Sequence, residues 1–159
     1  MGRRLGWRCL PLFLLAAVCA CGGVISPSPG SANAAKLHVN VASDITKGDA
    51  SWFMSNQPEL NASFSDYRVV AEGNQYSVDT EAAKEVASDL ARVQRILPGI
   101  PSPGLRTKWQ KVVNSFRDAA INAVATQSND AAKALSETND AYAEVFNQLV
   151  DAYRSGSSA

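Results

Sequence analysis

Three stretches of the chain place apolar residues at alternating steps of three and four. The first runs Ala83, Val86, Leu90, Val93, Leu97. The second runs Leu105, Trp109, Val112, Phe116, Ala119, Ala123, and the third Ala131, Leu135, Thr138, Tyr142, Val145, Leu149, Ala152. Such steps keep one face of a helix apolar. No segment of similar length alternates with period two. The pattern predicts three long helices, at about residues 79–97, 103–127 and 129–154.

The residues between them punctuate as expected. Asp79 or Thr80 can cap the first helix, with Glu81 and Glu85 near its start and Arg92 and Arg95 near its end, as the helix dipole prefers. "LPGIPSPG" stops it, and Ser102-Pro103 suits an N-cap and first-turn pair for the next. The short polar joint Gln127–Asp130 predicts antiparallel neighbours.

Residues 36–76 carry a weaker pattern. Leu60, Phe64, Tyr67 and Ala71 stand at helical spacing. "VNVASDITKGDASWFM" reads as a further helix weakened by Gly48, or as one opening with a short strand at Leu37–Val41, and Pro58 is expected to separate the two pieces. The expected fold is all-α: an up-and-down antiparallel bundle of about four helices, the first irregular or broken near Pro58.

The front of the chain has a different composition. Arg3, Arg4 and Arg8 precede an apolar run from Cys9 to Ala20, which is the plan of an export signal. The run is shorter than the roughly 20 residues that cross a bilayer. Val18-Cys19-Ala20-Cys21-Gly22-Gly23 closes it and resembles the lipobox of bacterial lipoprotein precursors. The resemblance implies cleavage between Ala20 and Cys21. It also implies a diacylglyceryl thioether on Cys21, carrying fatty acids such as palmitate. Cys19 stands where the family more often has a small residue or threonine. Taking Cys19 itself as acceptor would put Val18 where a small residue belongs.

Other readings of this join lack parts. A metal clip at Cys19 and Cys21 needs further ligands, and the chain offers only Cys9 and the distant His38. A structural disulfide has no partner, because Gly22–Ala159 contains no cysteine. Secretion with a cut after Ala34 fits the small-x-small form of Ala32-Asn33-Ala34, but Pro27 and Pro29 lie between it and the apolar core. The expected organisation is a signal peptide at 1–20, a lipidated cysteine and flexible linker at 21–35, and a helical domain at 36–159. As a coil, the linker would hold its ends about 20 Å apart. The expected location is the extracytoplasmic face of the cell membrane.

A lipobox and short linker before a helical domain, with a Pro-rich joint ahead of a helix bearing Trp109 and Phe116, also loosely resembles small actinobacterial helical lipoproteins. That resemblance implies no activity.

Charge narrows the partners. The chain balances 15 basic against 15 acidic residues. Loss of the three signal arginines leaves 12 against 15, a net charge of −3. This disfavours nucleic acid, whose affinity rests on Lys and Arg at phosphates. The second long helix is basic, through Arg106, Lys108, Lys111 and Arg117 against Asp118; the third is acidic. Those charges suit pairing of the two helices, or a basic face turned to anionic headgroups.

Catalytic constellations are missing from the pattern. The mature sequence has one histidine, His38, no free thiol, no Gly-x-Ser-x-Gly elbow and no phosphate loop. Glu81 with Glu85, and Asp140 with Glu144, lie one helical turn apart, too few donors for an oxygen-ligand metal site. Asn61-Ala62-Ser63 fits a glycosylation acceptor that a bacterial lipoprotein would not normally use. The sequence therefore calls for no enzyme, no cofactor and no metal. It predicts a tethered, non-catalytic binding or interaction module, with a carrier of a lipid or small apolar ligand as the alternative. Tyr142, Phe146, Leu149, Val150 and Tyr153 widen the apolar face of the last helix, either to receive the N-terminal segment or to line a cleft for an apolar ligand or partner helix.

Overall fold

The computed structural model describes residues 38–156. Cys21 and the cleavage junction Ala20–Cys21 lie outside the described residues. Four helices, α1 (Lys47–Asp66), α2 (Thr80–Ile96), α3 (Pro103–Thr126) and α4 (Asn129–Gly156), make an all-α up-and-down bundle. Each helix packs on its neighbour in sequence, and α4 returns to α1. A short hairpin, β1 (Val69–Glu72) and β2 (Gln75–Val78), joins α1 to α2 and rests on α4.

The three apolar stripes form the core. Val86, Leu90, Val93 and Leu97 of the first are buried, as are Leu105, Trp109, Val112 and Phe116 of the second and Leu135, Tyr142, Val145 and Leu149 of the third. Asp79 caps α2 by accepting from the amides of Glu81 and Ala82. The joint after α2 tightens into a 3-10 turn at Leu97–Gly99, because Pro98 cannot extend the α-helical bonding.

Two expectations for the first part of the domain are corrected. The helix does not break near Pro58; α1 runs through it without interruption. Proline removes the amide that would bond the carbonyl of Met54, and in a helix interior this costs about 3 kcal/mol. Here Pro58 and Met54 both stand on the solvent side, so water can serve that carbonyl, while Phe53 and Leu60 bury the opposite side. Packing overrides the local penalty.

The second correction is Ala71, which lies in β1 rather than on a helix face. Tyr67 ends α1 in an extended conformation, and the chain turns back at Gly73-Asn74, with Gly73 at φ 61°. A positive φ at the first turn residue is the place where glycine matches the twist of a two-residue hairpin. Val69 pairs with Val78 and Ala71 with Tyr76, so one hairpin face turns Val69, Tyr76 and Val78 toward the bundle. Nor is there a strand at 38–41: this segment runs along α4 as an irregular strap.

Candidate functional surfaces

Eight aromatic rings fill the interior as one connected network. Trp52 meets Trp109 edge-on at 5.8 Å, Trp109 meets Tyr142 at 6.0 Å, and Tyr142 meets Phe116 at 5.6 Å and Phe64 at 5.1 Å. Phe146 joins Phe64 to Phe53, and Phe116 reaches Tyr67. Phe53 and Phe64 of α1 thus cover the wide apolar face of α4 at Tyr142 and Phe146. The hydroxyl of Tyr142 donates to the carbonyl of Leu60 at 2.9 Å. Burial holds its pKa well above the usual tyrosine value, with the Ser63 hydroxyl opposing. It is therefore a fixed neutral donor.

A polar node closes one end of the bundle. Thr46 caps α1, and Asp49 completes a capping box by accepting from the Thr46 amide at 2.7 Å. The same carboxylate accepts from the amide of Ser102 at 2.9 Å and from its hydroxyl. Asp49 is fully buried. Burial pushes its pKa up, but the hydrogen bonds from Ser102 and Thr46 outweigh this and hold it below the usual carboxylate range. Ser102 occupies the expected N-cap position of α3, yet its side chain is spent on Asp49 and not on its own helix. Trp52 packs so closely on Gly99 that a Cβ there would meet its indole nitrogen at 2.9 Å.

The strap is tied down beside this node. Glu144 accepts from the amide of Val39 at 3.3 Å. The Gln148 side chain accepts from the amide of Val41 at 2.8 Å and donates to the carbonyl of Val39 at 2.9 Å. Val41 is fully buried. Lys108 donates to the carbonyl of Asn40 at 3.0 Å and pairs with Asp44 at 2.6 Å. Arg106 donates to the carbonyl of Ile100. Two of the four basic residues of α3 thus serve the strap and the α2–α3 joint, a use that the contrast in charge between α3 and α4 did not indicate.

The grooves lie on the surface around these elements. One, of about 610 Å³, is lined by His38, Asp140, Glu144, Asn147, Gln148 and Asp151. Another, of about 390 Å³, follows the seam of α1 and α4 past Ile45, Lys47, Ala50, Ala152, Tyr153 and Gly156. A small groove of about 190 Å³ continues that seam past Phe53, Met54, Val150 and Tyr153.

Of the residues singled out for chemistry, His38 is exposed and lies 3.5 Å from Glu144. Asp140 and Glu144 meet in the first groove, whereas Glu81 pairs with Lys84 on the surface of α2. Among the described residues no three His, Cys, Asp or Glu side chains are grouped to hold a metal ion. No helix among them is long and apolar enough to cross a membrane. Asn61 is exposed on α1. The roles of Asp49 and Gln148 in joining distant segments were not apparent from sequence. Thr46-x-x-Asp49 is a shortened capping-box pattern that could have flagged the first; nothing local flags the second. The chain matches no known protein family, no curated protein and no solved structure.

Proposed function

We propose that the chain is a lipoprotein anchored through Cys21 to the extracytoplasmic face of the cell membrane, and that its bundle is a non-catalytic binding or interaction module. The observation that carries this reading is the order of parts: Val18-Cys19-Ala20-Cys21, a Gly-Ser-Pro linker, then a helical domain with its own core. An acyl anchor supplies location at about 0.8 kcal/mol per buried methylene. The bundle then needs only to present a surface. The connected rings favour a surface module over a carrier, since they occupy the interior that an apolar cargo would need. The partners proposed are the membrane, reached through the lipid, and a protein or small apolar ligand at the surface, not nucleic acid.

Metabolic labelling with palmitate tests the anchor. Cys21→Ala should abolish labelling and leave unprocessed precursor, while Cys19→Ala should label as the parent does. Equal loss in both variants would show that the acceptor is misassigned.

A further inference from the structure

We propose that one end of the bundle is a docking face for an anionic phospholipid surface, the bilayer to which the chain is tethered. The inference rests on the anchored reading given above. The end in question gathers the strap, the start of α1, the α2–α3 joint and the end of α4. These parts meet: Ser102 bonds Asp49, Trp52 packs on Gly99, and Ile45, Ala50, Ala152 and Tyr153 line one groove.

The first observation is charge. Dividing the helices at their midpoints assigns this end Lys47, Arg92, Arg95, Arg106, Lys108, Lys111 and Arg154, against five acidic residues. The other end, with the hairpin, holds four basic and ten acidic residues. The domain is strongly polarised although its net charge is small. Of the five acidic residues at the basic end, Asp49 is buried within the node, Asp44 is paired with Lys108, Asp89 is paired with Arg92 and Glu144 accepts from the Val39 amide, which leaves Asp151 exposed. Lys47, Arg95 and Lys111 are exposed, and among the described residues no carboxylate pairs with them. An anionic surface attracts this end and repels the other, within a Debye length of about 8 Å at physiological ionic strength.

The second observation is apolar. Four large apolar side chains are exposed among the described residues, and two of them, Met54 and Tyr153, meet at the seam of α1 and α4 on this same end. Ile45 and Val150 extend the seam. An aromatic ring with a hydroxyl, flexible thioether and aliphatic chains, and flanking cations are the side chains that suit a headgroup interface.

The third is reach. The strap passes Glu144 at Val39, and Ile45 lies beside Ala152. By helical rise the seam is about 12 Å along α4 from the point where the chain enters. The 17 residues from Cys21 to Leu37 would, as a coil, span about 20 Å. The tether is long enough to let this end touch the bilayer, and short enough to keep it there.

The test uses the processed, acylated chain in vesicles of phosphatidylcholine alone or mixed with phosphatidylglycerol. A polarity-sensitive fluorophore is placed at Met54→Cys or, in the hairpin at the start of β2, at Gln75→Cys. The Met54 label should shift to the blue, and be quenched by brominated lipid, only where phosphatidylglycerol is present. The Gln75 label should show neither effect. Added salt, or Lys47→Glu with Lys111→Glu, should reverse both changes at Met54. Flotation with vesicles reads the anchor separately and should depend on Cys21 in either lipid. A chain that floats on both vesicles with its Met54 label unquenched on both overturns the docking face and leaves the anchor standing. A chain that fails to float on phosphatidylcholine overturns the anchor. In that case, quenching of the Met54 label by phosphatidylglycerol vesicles still upholds the docking face, and its absence overturns it.

Discussion

The two ends of the bundle are sealed by different means. At the strap end, side chains bind backbone: Asp49 holds the amides of Thr46 and Ser102, Gln148 holds the Val41 amide and the Val39 carbonyl of the strap, and Lys108 holds the Asn40 carbonyl. At the hairpin end, four-residue strands pair with each other, their inner face packs Val69 and Val78 on the core, and Asn129 accepts from the Tyr76 amide at 2.6 Å. The first seal is made of buried charge and hydrogen bonds between distant segments. The second is local pairing with an apolar underside. A buried polar seal fixes which segments meet, because any misplacement leaves a desolvated group without a partner. A local hairpin is tied mainly to itself and can open with less consequence for the rest.

The interior between the ends sets the largest effect. Leu149→Asp would place an unpaired charge at a fully buried site, at a cost of several kcal/mol. Against a total stability of about 5–15 kcal/mol, both ends should unfold together. Circular dichroism reads the loss; a variant with a parental melt would mean that the α4 seam carries little of the fold.

Asp49→Ala comes next. It strips partners from Ser102 and Thr46 and should cost about 2–3 kcal/mol. Hydrogen exchange should quicken at residues 100–102 and in the first turn of α1 while the hairpin keeps its protection. Uniform quickening would erase the contrast between the ends.

Acid sharpens the same point. The folded pKa of Asp49 lies below the usual aspartate value, so the node stabilises the fold above the unfolded pKa and loses that contribution as pH falls through the folded one. The gap in melting temperature between parent and Asp49→Asn should therefore be widest above about pH 4 and close at lower pH. A gap that stayed constant in acid would remove the ionised carboxylate from the account. The smallest effect belongs to the hairpin. Asn129→Ala should cost about 1 kcal/mol, raise exchange at Tyr76 and leave the strap untouched.

The parts of this fold written in periodic residues are legible in the sequence. α2, α3 and α4 begin and end within two residues of the expected positions, since their stripes, caps and prolines agree with one another. The α1 region misled for two physical reasons. Pro58 is a breaker only where its freed carbonyl is buried, and exposure cannot be read from proline itself. Ala71 continued a helical spacing by coincidence, while Gly73-Asn74 between Val69-Val70 and Tyr76-Ser77-Val78 held the true signal for a hairpin. The node was illegible because it joins residues 53 positions apart, and the strap because Val41 and Gln148 are separated by 107. Long-range polar pairing leaves no period in a sequence.

The strap also decides how the domain would carry tension. It runs parallel to α4, entering near Glu144 and leaving near Ala152. A pull applied at His38 would meet the Glu144 contact first, then the paired bonds of Gln148 together with the seated Val41, then the clasp of Lys108 on Asn40 and Asp44. Load is thereby handed to α4 and α3 before any of it reaches α1. The helix with the internal proline stands last in line, sheltered by two helices that each bury a continuous apolar seam.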